Sequence, residues 1–282
     1  MFSRATATIA CLLTLAASAA QAQQRPLLTE DPEPIGAGRL MLEGGIDYMQ
    51  DQQYPASGLS GDLVRVPTLG ISIGISAIAE LQLDGGLFNR LAIKDREPAP
   101  LSDLLTVTGD STSDIQDMMI GAKIRMLSER PGRPALAFRF TTKLPNASNE
   151  SGLGTDTTDF YASIIAGKTV QSVRVVGNLG LGILADPVEG ARQNDVLTYG
   201  ASFARALTDS AEIVGELNGR ISTSEGEPFP GTETRGILNF GGRYTTGALR
   251  LDGGVFFGLH SVDPTFGFTG GFTYVFNAFE VP

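Results

Sequence analysis

Ionisable residues recur in this sequence at even spacing, and that spacing is where its chemistry would lie. Glu80 and Asp84 alternate with leucines, and Lys123 with Arg125, Glu212 with Glu216 and Arg250 with Asp252 keep the same parity. In extended chain such residues share one face, so they would line a common surface. Its acids would be Glu43, Asp47, Glu80, Asp84, Asp117, Glu212, Glu216 and Asp252. Its bases would be Lys123, Arg125, Arg139, Lys143, Arg174, Arg220, Arg235, Arg243 and Arg250, with Arg90 expected beside them. Such a surface can hold a lattice of ion pairs or select a charged solute. Isolated charges away from water are costly, so these must be paired or wet.

His260-Ser261 offers a second chemistry, a base beside a nucleophile near one end of a strand. No orienting acid can be assigned to it, and P-loop and H-E-x-x-H patterns are absent. The acidic loops contain no D-x-[DN]-x-[DN]-G calcium motif. One cysteine and one histidine leave no cluster for zinc, so neither a metal nor another cofactor is expected. Thirty-one acids against 21 bases, a formal charge of -10, argue against nucleic acid as a partner.

The residues that must position this surface lie in strands. Residues 1–22 read as a secretory signal peptide, with Arg4, the apolar run Ile9 to Ala17, and Ala20-Gln21-Ala22 as cleavage site. Its removal would take away Cys11. Residues 23–37 carry Pro26, Pro32 and Pro34 among Glu30, Asp31 and Glu33, a pattern that bars regular structure. They are expected as a periplasmic lead-in, hanging free or tucked into the base of the fold that follows.

Beyond Gly38 the alternation has period two. Leu69, Ile71, Ile73 and Ile75 alternate with Gly70, Ser72, Gly74 and Ser76. Twelve such segments are expected, near 39–49, 63–76, 79–91, 114–127, 135–145, 158–168, 173–184, 194–206, 211–221, 233–244, 249–259 and 265–277. The alternation is poor in 158–168 and 194–206. Most segments are longer than the usual globular strand and suit a tilted membrane strand of about 9–11 residues. Tight connections alternate with longer polar ones, as in outer-membrane barrels. The fold class expected over 38–282 is therefore all-β, a single-chain antiparallel transmembrane barrel of about twelve strands. A periplasmic sandwich or lipocalin-like cup is the competing architecture.

Twelve strands at about 4.8 Å spacing and 35–45° tilt enclose a cylinder roughly 25 Å across. Matching inward faces brings Glu80 and Asp84 near Lys123 and Arg125, Glu212 near Arg243, Glu216 near Asn239, and Arg220 beside Arg235. The last pair has no obvious acid opposite and is the best candidate for ligand contact. Arg139, Lys143 and Arg250 complete the candidate lumen residues. Small residues such as Gly45, Gly74 and Gly121 would keep the lumen open or admit a folded-in segment.

The chain resembles barrels of the meta-pathway of phenol degradation family, a group of Gram-negative outer-membrane transporter-like proteins. The resemblance rests on Pro26-Leu27-Leu28-Thr29-Glu30-Asp31 before Gly38-Arg39, Asp114-Ile115-Gln116-Asp117, Lys143-Leu144-Pro145, Gly152-Leu153-Gly154-Thr155 before Asp159-Phe160, and Asn178-Leu179-Gly180. It implies uptake of small aromatic or hydrophobic compounds and assigns no catalytic residue. Many such barrels end on an aromatic residue that assists assembly, whereas this chain ends Phe276-Asn277-Ala278-Phe279-Glu280-Val281-Pro282. Without tryptophan, Tyr48, Tyr199, Tyr244 and Tyr274 are left to form the interfacial belt.

The reading from sequence is a monomeric outer-membrane channel for small solutes, with no enzyme activity. Its partners would be outer-membrane lipid, the solute and the barrel-assembly machinery. A rim enzyme acting on lipid through His260 and a non-conducting barrel with partner-binding loops are the alternatives.

Overall fold

A computed structural model describes residues 25–189 and 192–280. The expected signal peptide, residues 1–22, lies outside them. The described chain is all-β apart from one 3-10 turn, Ser102–Leu104. Its segments are β1 Arg39–Tyr54, β2 Leu59–Gly74, β3 Ala79–Gly86, β4 Asn89–Arg96, β5 Ser111–Asp114, β6 Met119–Leu127 and β7 Ala135–Lys143. There follow β8 Asp159–Val170, β9 Val173–Ala185, β10 Gln193–Ala206, β11 Ala211–Ser222, β12 Arg235–Thr246, β13 Leu249–Gly258 and β14 Phe266–Asn277.

These fourteen segments make twelve staves. β3 and β4 pair with the two halves of β2, while β6 and β5 continue the ladder on their far side. Every pairing is antiparallel, and β1 bonds both β14 and β2, which closes the wall. Closure leaves no open edge in the ring of staves, only the short β5 being paired on one side alone, so backbone groups at hydrocarbon depth have partners. Arg39 faces Asn277, which places the first and last staves on one rim. That rim also carries the tight connections 75–78, 171–172, 207–210 and 247–248, whereas 97–110, 144–158 and 223–234 lie at the other. The first long connection expected, 50–62, shortens to 55–58 because β1 and β2 continue their pairing above the wall.

The faces separate the two candidate solvents. Leu179 and Leu181 on β9 are each 59% exposed on the outside, whereas Lys123 is 0% and Arg250 1% exposed on the inside. A sandwich would bury the leucines and wet the cations. Here Phe240, Phe257, Phe268 and Phe272 join the apolar exterior, and the ionised rows enclose the axis. Tyr48 and Phe268 stack across β1 and β14 at 6.4 Å.

One irregularity inverts the alternation. Pro67 in β2 has no N–H to donate, so the ladder there runs through Val66 N–H to Phe88 O and Leu87 N–H to Pro67 O. Val66 and Pro67 both face outward, as do Leu87 and Phe88 opposite them. Beyond this point inside and outside exchange. Arg90, expected in the lumen, is therefore exposed on the exterior, while Asn89 and Leu91 turn in. Arg65, which strict alternation would put outside, points inward.

The exterior assignment predicts the effect of a mid-strand charge. Leu179→Arg should destabilise the barrel by about 2–4 kcal/mol in bilayers, the range for a cation at the lipid midplane. Leu179→Ile should cost less than about 1.5 kcal/mol. Urea unfolding in lipid vesicles, followed by circular dichroism, measures both.

Candidate functional site

Residues 25–37, expected as a periplasmic lead-in either hanging free or tucked into the base of the fold, lie within the barrel. They form a strap inside the barrel, bonded to side chains from staves all around the wall. Three prolines deny this segment a ladder of its own, so its backbone groups need side-chain partners once they leave water. The lumen supplies them. Glu216 accepts from Leu28 N–H at 2.8 Å and Thr29 N–H at 2.7 Å, and Glu80 from Ile35 N–H at 2.6 Å. Asn239 donates to Pro26 O at 2.8 Å and Arg243 to Arg25 O at 2.7 Å. Asn178, with its amide turned to suit, meets both backbone groups of Glu30 at 2.8 and 3.0 Å.

Strap side chains carry the charge pairs. Lys123 lies between Glu30 at 3.1 Å and Glu80 at 3.0 Å, and also donates to Asp31 O at 2.8 Å. Arg139 pairs with Glu30 at 3.2 Å and Asp84 at 3.5 Å. Arg174 grips Asp31 through two bonds of 2.8 Å, and Arg125 pairs with Glu33. Arg25 reaches Thr68 and Thr269 at 3.0 Å and Asp252 at 3.5 Å. It fits because two wall residues have no side chain: a Cβ on Gly45 would meet its guanidinium at 2.3 Å, and one on Gly271 at 2.6 Å.

The candidate residues thus fall into three groups. Glu80, Asp84, Lys123, Arg125, Arg139, Glu216 and Arg243 surround the strap. Arg250 pairs with Glu212 at 3.5 Å, and Lys143 bridges Asp117 at 3.2 Å and Asp159 at 2.9 Å, within the wall itself. Arg220 and Arg235 stand apart, facing each other across β11 and β12 and bordering open space. The registers Glu212–Arg243, Glu216–Asn239 and Arg220–Arg235 are those expected from the sequence.

Two cavities lie beyond the strap toward the long loops. One of about 470 Å³ is floored by Leu28 and Glu30 and flanked by Met49, Met119, Ser163 and Ile237. The other, about 300 Å³, runs beneath loops 55–58, 144–158 and 223–234. Both are lined by Gln52, Arg65, Tyr161, Arg220 and Arg235, which therefore form a waist between them. A third cavity, about 180 Å³, lies alongside Arg25 to Leu28. Loop 144–158 packs inward: Ser57 donates to Gly152 O at 2.8 Å, and Leu153 joins an apolar cluster of Met49, Leu59, Leu63, Leu91 and Phe256.

Reading the sequence missed Arg65 and Tyr161 at the waist. For Arg65 the signal was present, since a proline inside a strand marks a break in the ladder and the alternation inverts there. Tyr161 falls in the segment whose alternation was poor. His260 is exposed in the loop after β13, and its backbone N–H, not its ring, donates to Asp263 at 3.1 Å.

Comparison with known proteins adds to this geometry. No curated protein matches the chain in sequence. Among solved structures it is similar to the COG4313 outer membrane channel from Pseudomonas putida F1, at 15% identity and a TM-score of 0.61, covering 87% of this chain and 98% of that one. It is also similar to the NanC porin, at 7% identity and a TM-score of 0.52, covering 83% and 98%. At these identities the likeness is one of fold. The model of the family described as "Putative MetA-pathway of phenol degradation" matches residues 61–276, most of the barrel, and the chain belongs to that family.

Proposed function

We propose that this protein is an outer-membrane channel for small solutes, with a lumen narrowed by its own strap. The observation that carries this reading is the pair of cavities sharing one waist, which gives a polar route from the long loops to the strap. All twelve staves come from one chain, which suits a monomer. The greasy exterior suits outer-membrane lipid, and insertion there would need the barrel-assembly machinery. The family description suggests small aromatic or hydrophobic compounds as cargo. An enzyme is disfavoured, because Asp263 is occupied by the backbone N–H groups of Gly236 and His260 and does not orient the imidazole.

The strap floors this route. Its hold is electrostatic: the wall at its level presents Lys123, Arg125, Arg139 and Arg174, and Glu30, Asp31 and Glu33 answer them. Hydrogen bonds to charged groups contribute about 1.5–3 kcal/mol each, so the strap stays in place under ordinary conditions.

Two outcomes follow. In planar bilayers the protein should conduct, and deleting residues 25–34 should raise its conductance several-fold; no conductance from folded protein would end the channel reading. Lys123→Met should cost about 3–5 kcal/mol, because it leaves Glu80 buried without its counter-charge and Glu30 with Arg139 alone. Adding Glu30→Gln and Glu80→Gln should recover much of that loss in urea unfolding.

A further inference from the structure

The arginines at the waist differ from every other lumen cation described above. Lys123, Arg125, Arg139, Lys143, Arg174 and Arg250 each meet a carboxylate. Among the described residues, none of Arg65, Arg220 and Arg235 has one within 4.0 Å. Arg220 and Arg235 are held instead by neutral oxygens. Arg220 donates to Glu233 O at 3.0 Å and to Gly231 O at 2.6 Å. Arg235 reaches Gln53 O at 3.5 Å, and the Nε of Arg65 is buried without a hydrogen-bond partner.

The carboxylates nearby are already committed. Glu233 accepts from Gly231 N–H at 2.8 Å, and Asp263 from Gly236 N–H at 2.9 Å. Three guanidinium groups thus share one waist without a carboxylate in direct contact, Glu233 and Asp263 offsetting only part of the charge of Arg235 from a distance. Carbonyl acceptors fix Arg220 and Arg235 without neutralising them. A guanidinium offers a rigid fork of donors suited to a carboxylate, and like charges so placed are relieved by a bound anion.

The space beside them is not wholly polar. Met49, Met119 and Ile237 line the larger cavity, and Met49 continues into the apolar cluster with Leu63 and Phe256. Methionine adapts to flat apolar bodies, and volumes of about 300–1,000 Å³ are typical of small-molecule sites.

We infer that Arg65, Arg220 and Arg235 form an anion clamp at the waist, and that the solute is a small organic anion with an apolar body, such as a monocyclic aromatic carboxylate. The inference rests on the channel reading above. The clamp holds the carboxylate while the methionine-lined side receives the ring. No bond is made or broken, and the solute leaves unchanged.

Reversal potentials of the full-length protein in planar bilayers test this, with sodium benzoate and benzylammonium chloride gradients as probes. Benzoate should permeate about tenfold better than sodium, a difference of ~1.4 kcal/mol. Benzylammonium should show no preference over chloride. Benzoate should also depress the chloride current at concentrations about tenfold below acetate, the same ~1.4 kcal/mol credited to its ring. In Arg220→Gln with Arg235→Gln the benzoate preference should fall to near unity, whereas Arg220→Lys with Arg235→Lys, which keeps both charges, should retain most of it. A conducting wild type without anion preference, an unchanged preference in the Gln variant, or equal block by acetate would overturn the clamp and leave the channel standing. A folded protein that conducts in no salt would overturn the channel and the clamp together.

Discussion

The structure depends on one constraint: at hydrocarbon depth no water is available to backbone N–H and C=O groups. A sheet with an open edge would leave a column of them unpaired at a cost of several kcal/mol per group. Pairing of β1 with β14 removes that edge, and everything else follows from the cylinder it makes. Leucine and phenylalanine rows must then face lipid, so their even-spaced neighbours are driven into a narrow lumen. Those neighbours are largely ionic, and a lumen of this width cannot hydrate them all. The charges must find one another or be answered by something brought in from outside the wall.

The strap is what is brought in. Its prolines make it a poor strand and its three acids make it a good counter-ion. Both properties suit a chain laid across a basic floor. The partnership is reciprocal, since wall carboxylates and amides satisfy the strap backbone while strap carboxylates satisfy the wall cations. Glu216 shows the first half of this exchange and Lys123 the second. Neither partner would be stable alone in that position. A wall residue such as Lys123, fully buried, would be a severe penalty without Glu30 and Glu80.

Much of the wall was legible in the sequence because period-two patterning is a local property. The outward rows, the alternation of tight and long connections, and the Glu212–Arg243 and Arg220–Arg235 registers all come from short stretches of chain. Two features resisted. The inversion at Pro67 carries Arg65 in and Arg90 out, and strict alternation applied across a proline assigns both wrongly. The strap resisted for a different reason. Arg25 meets Thr269 across 244 positions, and no local pattern encodes a contact of that separation. Prolines and acids in 23–37 announce only that the segment is irregular. What irregular segments bind is decided by the cavity they find.

Charge in the lumen is therefore arranged in two tiers with different consequences. In the lower tier the basic wall is neutralised by the strap, so its field is short-ranged and its role structural. At the waist the cations make no ion pair with Glu30, Asp31 or Glu33, and Arg220 and Arg235 donate to backbone carbonyls instead. A carbonyl orients a guanidinium but does not cancel its charge, and in a narrow, poorly hydrated passage an uncancelled charge acts over its full range. Neutralising the lower wall thus sharpens the upper one. On the clamp proposed above, with Lys123, Arg125, Arg139 and Arg174 each paired with a carboxylate, the cations left to meet a solute are Arg65, Arg220 and Arg235, next to the methionine-lined side of the larger cavity.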